Sequence, residues 1–381
     1  MDFYNNKKID YIQIFNINDI KEDTDNKCIV VTGVTGQDGS HMVDYLLKNT
    51  DYIIYGGVRR LNLYNHHNLK HITSDRFRVI IFDLTDSNCI TMTISKLKPK
   101  YFINFAAQSY VGSSWDFAYQ TYSANTMSVI NILDAIKNYC PTCRLYQAGS
   151  SEEFGNIIYS PQDENHPLNP QSPYGASKVS SRQIINVYRR TYNLYVIQCW
   201  LFNHEGTRRG EEFVTRKITK KVAEINCAIK KNIPFKALEL GNIYASRDWS
   251  DAEDFMDGIW RILNQDTYNI DYSGEIKQYI LSSGETHTIK EFVSIAFKCI
   301  NIEGYWENKT DDILNEKFLL NHNGNVLELV VINKKYYRPK DIDIILGDAN
   351  KARKELGWNT TTTFADLVIK MVLNDIKLLD T

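Results

Sequence analysis

The chain has 381 residues, 43% of them apolar and 24% charged, with a formal charge of −2. That length supplies ample core for one large domain or two lobes, and the near-neutral balance gives no reason to expect a nucleic-acid partner. Seven cysteines, an odd number, point to a reducing compartment, the cytoplasm, and no apolar run approaches the ~20 residues of a membrane span.

Residues 1–27 carry acids where a signal peptide needs a continuous apolar core, so they read as an extension of unknown role, packed or loose. From residue 28 to 203 the chain alternates strand and helix. "CIVVTG" is a short apolar strand and "SHMVDYLLKN" a helix; "YIIYGGVRR" and "FRVIIFDLTD" are the second and third strands. "ISKLK" closes a helix, "KYFINFAA" is the fourth strand, and "SVINILDAIKNY" is a long helix. "RLYQAG" follows as the fifth strand, "SKVSSRQIINVYRRTY" as a helix and "LYVIQCWLF" as the sixth strand. Apolar strands separated by amphipathic helices predict an α/β fold, a doubly wound parallel sheet with its ligands at the carboxyl ends of the strands. Residues 204–381 are less regular. They hold the helices "FVTRKITKKVAEINCAIKK", "IKEFVSIAFKCI" and "TFADLVIKMVLNDI" and the strand "KQYILSSGE", which predicts a smaller C-terminal α/β substrate-binding lobe, with some segments returning to the first domain.

"GVTGQDG" lies between the first strand and the first helix. Gly33 allows the tight turn, Gly36 lets a pyrophosphate approach the backbone, and Gly39 lets helix and strand pack closely, so the segment reads as a dinucleotide site. The second strand ends in Arg59 and Arg60 with no acid beside them, where an NAD site wants a carboxylate for the ribose. Guanidinium groups suit a 2′-phosphate, so the cofactor reads as NADP. "CPTC", Cys140 to Cys143, has no second Cys/His pair near it and reads as a loop before a strand. "NHHNLKH" holds His66, His67 and His71, but no metal is expected there; the loop borders the cofactor or a neighbouring subunit.

"YGASK" places Tyr174 and Lys178 four residues apart, on one helix face. A free tyrosine has a pKa near ~10, and lowering it to ~7 takes about 4 kcal/mol, which a lysine ammonium and an oxidised nicotinamide would supply. "GSSEEFG" puts Ser150, Glu152 and Glu153 at the end of the fifth strand. On an extended backbone Ser150 and Glu152 share one side and Ser151 and Glu153 the other. A hydroxyl and a carboxylate beside a tyrosine base are what a dehydratase needs. The glycine turn and Y-x-x-x-K together resemble the extended short-chain dehydrogenase/reductase superfamily, whose nucleotide-binding domain is Rossmann-like, and that resemblance implies C4 oxidation of a nucleotide sugar. There the tyrosine would take the C4 hydroxyl proton during oxidation, the C4 ketone would acidify C5, a glutamate would remove that hydrogen, water would leave C6, and the hydride would return to C6. An epimerase has no need of the second acid/base.

"GVTGQDGS", "VRR", "DLTDS", "AAQS", "SSE", "SPYGASK", "LFNHE", "RRG", "FVTRKI", "RDW" and "YYRP", in that order, resemble the GDP-mannose 4,6-dehydratase family from about Cys28 onward. The resemblance implies a homo-oligomer, dimer or tetramer, turning GDP-mannose into GDP-4-dehydro-6-deoxy-mannose with NADP. The alternatives are a 4,6-dehydratase or C4 epimerase acting on another nucleotide sugar. From another class comes a catalytically silent dinucleotide-binding sensor, against which the intact residue set argues.

Carried over position by position, the resemblance implies that Ser150, Glu152, Tyr174 and Lys178 are catalytic. It implies cofactor contacts from Gly33, Thr35, Gly36, Gln37, Asp38, Gly39, Arg59, Asp83 and Leu84. Phe105, Ala106, Ala107, Gln108, Ser109, Lys178, His204 and Arg209 complete that set. For the sugar nucleotide it implies Ser109, Asn203, Val214, Lys217, Asn242, Arg247 and Arg338, with Asp341 on the guanosine side. Arginine and lysine suit a diphosphate, and a carboxylate suits the guanine N1/N2 edge. A solvated helix face is the other reading of Lys217, and still more of Lys220 and Lys221. Departures from the family pattern are a serine at position 150, Phe154 for a tyrosine, Gln120 for a tyrosine, and Glu153 for an apolar residue. A buried Glu153 without a partner would cost several kcal/mol, so it is expected to be paired or solvated.

Overall fold

The structure, a computed structural model, describes residues 8–9, 12–20, 27–59, 66–265, 276–308, 312–337 and 344–380. The chain folds into two compact units. The first comprises Met1–Phe202, Ala252–Leu281 and Asp348–Asn359; the second comprises Asn203–Asp251, Ser282–Gly347 and Thr360–Thr381.

The first unit is built on a nine-stranded sheet among the described residues. Its strands are β1 (Lys8–Ile9), β2 (Ile12–Phe15), β3 (Cys28–Thr32), β4 (Ile53–Val58), β5 (Phe77–Ile81), β6 (Tyr101–Asn104), β7 (Arg144–Ala148), β8 (Val196–Leu201) and the short pair Ile280–Leu281. Their order is β1-β2-β5-β4-β3-β6-β7-β8 followed by Ile280–Leu281, and every pairing is parallel except β1 with β2. The direction of winding reverses at β3, which has β4 on one side and β6 on the other. Such a reversal opens a crevice at the carboxyl ends of β3 and β6, where ligands of doubly wound sheets sit. The doubly wound parallel sheet expected from the alternating pattern is therefore present.

Every residue of β3 is buried, because both faces of the sheet are covered. One apolar layer packs Val31, Met42, Val43, Ile103, Phe255 and Trp358, and the other packs Val30, Ile90, Ile94, Phe102, Val129 and Ile132. The helices that supply these layers are α1 (Gln37–Asn49), α2 (Ser87–Leu97), α4 (Ser128–Tyr139), α5 (Pro173–Tyr192) and, later in the chain, Ala252–Leu263, while a short α3 (Ala118–Tyr122) precedes α4. Between α3 and α4 the helix widens to π geometry over Ser123–Met127. The N-terminal extension adds to the sheet: Ile14 pairs with Val79 and Phe15 with Ile80.

The second unit carries a four-stranded sheet, Leu238–Leu240, Asn325–Ile332, Lys317–His322 and Tyr305–Glu307 in spatial order. Its core joins Ile218, Val222, Trp249, Phe292, Phe297, Leu329, Val368 and Met371. The helices Val214–Lys231, Ile289–Lys298 and Phe364–Leu379 provide most of that core.

Candidate active site

At the switch point the glycine turn is held by close backbone contact. Gly33 has φ +69°, and a Cβ there would lie 2.9 Å from Ala106 N. A Cβ on Gly39 would lie 2.3 Å from Gly33 O, so only glycine lets α1 start this close to β3. Gly36 caps α1 without a side-chain hydrogen bond, and a helix N-terminus of this kind, after a glycine turn, suits an anion. Beneath the turn runs a buried polar ladder across three adjacent strands. Thr32 Oγ1 donates to Asn104 Oδ1, and Asn104 Nδ2 donates to Gln147 Oε1 at 2.6 Å. Thr32 Oγ1 also accepts from Ala106 N at 3.1 Å, which fixes the start of the Phe105–Ser109 segment. Farther along it, Gln108 N donates to Asn125 Oδ1 at 2.9 Å, and Asn125 Nδ2 donates to Ser177 Oγ of α5. Gln108 Oε1 is buried without a hydrogen-bond partner. Buried acceptors are normally satisfied, so this one fits a site completed by a donor from a ligand.

The strand geometry expected through residues 150–153 does not persist. β7 ends at Ala148, Ser150 is the last extended residue, and Ser151–Glu153 form a 3-10 turn. The cause is a capping box: Ser150 Oγ accepts from Glu152 N at 3.2 Å, and Glu153 Oε1 accepts from Ser150 N at 2.9 Å. Alternation therefore does not sort the two glutamates; the turn does. Glu153 points into the interior at 0% exposure and pairs with Arg182, Nε to Oε2 at 2.5 Å. Gln198 Nε2 also donates to Glu153 Oε1 at 2.9 Å. The buried glutamate is thus paired, as its desolvation requires. Glu152 remains partly exposed.

α5 begins against this turn. Ser172 accepts from Gly175 N at 3.1 Å and Pro173 opens the helix. A Cβ on Gly175 would lie 2.6 Å from Glu152 O, so glycine lets the first turn of α5 approach the 150–153 segment. Tyr174 and Lys178 share one face, with Lys178 Nζ 5.7 Å from the Tyr174 ring centroid. Lys178 is 2% exposed and donates to Ala148 O at 2.8 Å. Burial brings its pKa down from 10.5 to about 8; Glu153 and Asp38 favour the charged form, and Arg182 opposes it. Ser150, Glu152, Tyr174 and Lys178 are thereby brought together by one turn and the helix docked on it.

The remaining predicted residues of the first unit lie on its loops and in the first turn of α1. Thr35 O accepts from Asn68 Nδ2 at 2.9 Å, and Gln37 Nε2 donates to Asp38 Oδ1 at 3.1 Å. Arg59 follows β4 and is exposed, while Arg60 lies outside the described residues. Asp83 Oδ1 accepts from Thr85 N and Oγ1, and Leu84 is buried. Ser109 and Gln120 are exposed. His66 and His67 sit in a short 3-10 turn, and His71 Nε2 lies 2.7 Å from Asp44 Oδ1. Cys140 and Cys143 flank the turn before β7, and all seven cysteines are free.

In the second unit, Asn203 Oδ1 is buried without a hydrogen-bond partner, and His204 and Glu205 form a short strand beside Ser250–Asp251. Arg209 pairs with Glu205 at 2.9 Å and stacks 3.5 Å over the Phe213 ring. Val214 is the first residue of the helix Val214–Lys231, whose N-cap makes no side-chain hydrogen bond. Lys217 is no solvated surface charge: Nζ donates to Glu239 O at 2.6 Å and lies 3.5 Å over the Tyr336 ring. Burial lowers its pKa, against the pull of Tyr336 and Glu239. Lys220 and Lys221 pair instead with Glu211 and Glu224. An open groove of about 540 Å³ is lined by Lys217, Lys236, Lys335 and Tyr336 together with these pairs. Asn242 Oδ1 accepts from Tyr244 N, and Arg247 Nη1 donates to Ser246 O at 2.9 Å. Behind Arg247, the buried Asp248 accepts from Ser283 N and Oγ and from Gly284 N. Arg338 and Asp341 lie outside the described residues.

The supporting residues Asn104, Asn125, Gln147, Arg182 and Asp248 were not among those singled out from sequence. Only the S-x-x-E capping box offered a local signal.

A family model described as GDP-mannose 4,6 dehydratase matches residues 30–371. A GDP-mannose 4,6 dehydratase of Drosophila melanogaster is 38% identical over 94% of this chain and 88% of the relative. The chain belongs to the GDP-mannose 4,6-dehydratase family. Solved structures extend the likeness at the level of fold. A dTDP-glucose 4,6-dehydratase from Bacillus anthracis in complex with NAD has a TM-score of 0.71 at 22% identity, covering 92% of this chain and 97% of that one. RMD from Pseudomonas aeruginosa complexed with NADPH has a TM-score of 0.70 at 18% identity, covering 92% and 99%. In this member of the GDP-mannose 4,6-dehydratase family, the glycine turn, the first turn of α1 with its glycine N-cap and the unpartnered Gln108 Oε1 fit a nicotinamide dinucleotide. Among the described residues, no helix is long and apolar enough to cross a membrane and no cluster of three metal-ligating side chains occurs.

Proposed function

We propose that this chain removes water from GDP-mannose to give GDP-4-dehydro-6-deoxy-mannose, with NADP as its bound redox group. When bound, the nicotinamide supplies reversible two-electron chemistry, oxidising C4 and later reducing C6. Tyr174 takes the C4 hydroxyl proton, and the Lys178 ammonium beside its ring favours the phenolate. Once C4 is a carbonyl, C5–H is acidic and Glu152 removes that proton. Ser150 donates a hydrogen bond to the C6 oxygen, which leaves as water when its proton is supplied from Glu152. Reduction at C6 leaves an enolate at C4–C5. A proton delivered to C5, equivalent to the one Tyr174 took from the C4 hydroxyl, restores C5–H, so sugar and protein balance at the loss of one water.

The observation that carries this reading is the docking of α5 on the 150–153 turn, which gathers a phenol, an ammonium, a carboxylate and a hydroxyl. A C4 epimerase has no use for that carboxylate. Arg59, with no acid at the end of β4, supports NADP over NAD. Gly33, Thr35, Gly36, Gln37, Asp38, Gly39, Asp83, Leu84, the Phe105–Ser109 segment, His204 and Arg209 are the proposed cofactor residues. Ser109, Asn203, Val214, Lys217, Asn242, Arg247, Arg338 and Asp341 are proposed for the nucleotide sugar. The groove around Lys217 supports an anionic group there. Free thiols at all seven cysteines support a cytoplasmic location, and the exposed rings of Trp115, Phe117 and Tyr119 support a homo-oligomer, dimer or tetramer.

The test is turnover of GDP-mannose in deuterated water. The product acquires solvent deuterium if a protein base handles the C5 proton, and the Glu152→Gln variant forms none. Product formed at the normal rate by that variant would remove Glu152 from the role.

A further inference from the structure

Glu153 and Arg182 stand one step behind the proposed catalytic set. Glu153 accepts four hydrogen bonds: from Ser150 N at 2.9 Å, Gln198 Nε2 at 2.9 Å, Arg182 Nε at 2.5 Å and Arg182 Nη2 at 3.2 Å. Arg182, 2% exposed, donates from its remaining nitrogen, Nη1, to Gln198 O and Gln278 Oε1, and its guanidinium lies 3.6 Å over the Trp200 ring. Gln198 Nε2 also donates to Lys178 O at 2.9 Å. One connected network therefore reaches the N-cap of the 150–153 turn, the backbone of α5 at Lys178, and β8.

Two fully buried opposite charges are a poor device for stability alone, because an apolar pair of similar volume holds a core as well or better. An apolar pair could not accept the Ser150 N–H or bridge that turn to Gln198. The function peculiar to the charged pair is geometric.

We propose that Glu153 and Arg182 are positioning residues for the elimination half of the reaction, clamping the 150–153 turn to α5 and so setting where Ser150 and Glu152 stand relative to Tyr174. This rests on the reaction proposed above, but the clamp itself is measurable without it.

The experiment uses the full chain carrying Glu153→Leu with Arg182→Met, which removes both charges together and leaves no buried ion unpaired. Amide hydrogen exchange of the 149–154 segment should accelerate about tenfold or more, while α5 keeps its protection. On GDP-mannose with NADP bound, turnover should fall about tenfold or more with KM changed less than about twofold. The near-ultraviolet absorbance of reduced nicotinamide should build up, because oxidation at C4 outruns elimination. Unchanged exchange in the 149–154 segment overturns the clamp, whatever substrate the wild-type protein takes. Faster exchange with full turnover, or slowed turnover without reduced nicotinamide, overturns its role in elimination. Glu153→Gln, whose amide would face four donors, repeats both readings should the double variant fail to fold.

Discussion

Replacing Lys178 with methionine should make the folded protein more stable and the enzyme inactive. Lys178 is 2% exposed, and burial takes its pKa from 10.5 to about 8. At about 1.4 kcal/mol per tenfold change in proton affinity, keeping it charged in the fold at neutral pH costs about 3 kcal/mol. Methionine has a similar unbranched shape and no charge to desolvate. Losing the hydrogen bond from Nζ to Ala148 O gives back about 1 kcal/mol, leaving a net gain of about 2 kcal/mol. The pH dependence fixes the sign. Between about 8 and 10.5 the unfolded chain still holds a proton that the folded chain has released, so wild-type stability rises with pH across that window. The variant lacks this rise, and its advantage should shrink toward zero by about pH 10. Equilibrium urea unfolding without cofactor, near pH 7 and again near pH 10, measures both quantities. A variant less stable than wild type near pH 7, or a difference that does not change with pH, would refute the reasoning. Turnover should meanwhile drop about a hundredfold or more, since the ammonium beside Tyr174 is gone.

Tyr174→Phe should lower turnover at least about a hundredfold without reduced nicotinamide appearing, since the C4 proton has no acceptor, as stopped-flow absorbance would record. Glu152→Gln should instead accumulate reduced nicotinamide on mixing with GDP-mannose, because oxidation proceeds and C5 deprotonation does not. Arg59→Ala should reduce the preference for NADP over NAD by about tenfold in titration calorimetry, with NAD affinity little changed. Gly39→Ala would place a methyl carbon 2.3 Å from Gly33 O, so dinucleotide binding should be lost or the protein should fail to fold, which calorimetry and circular dichroism distinguish.

The fold was legible where burial on both faces wrote itself into composition. β3 to β8 are apolar runs of four to six residues, and the doubly wound sheet follows from their alternation with helices. The strand β2 was not legible, because "IQIF" sits in a polar extension and its place is set by pairing Ile14 with Val79, distant in sequence. The hairpin of Lys317–His322 with Asn325–Ile332 carries a local signal in its Asn-Gly dipeptide. Asn323 and Gly324 both have positive φ, as a two-residue Asn-Gly turn requires. In the site, the glycine turn and the Tyr174–Lys178 spacing are local and readable. The fate of Glu153 is half local: the capping box is visible in "SSEE", whereas Arg182, 29 residues on, and Gln198, 45 residues on, meet it only through the fold. The ladder of Thr32, Asn104 and Gln147 is likewise a product of strand order, since no spacing rule relates three residues on three strands.

Mass spectrometry of GDP-mannose incubated with the purified protein and NADP, beside GDP-glucose, UDP-glucose and dTDP-glucose, tests the central claim most directly. Loss of one water from GDP-mannose alone is the expected result. No loss from any of the four with NADP demonstrably bound would contradict the dehydratase reading, and loss from another sugar alone would contradict the assignment of the substrate residues.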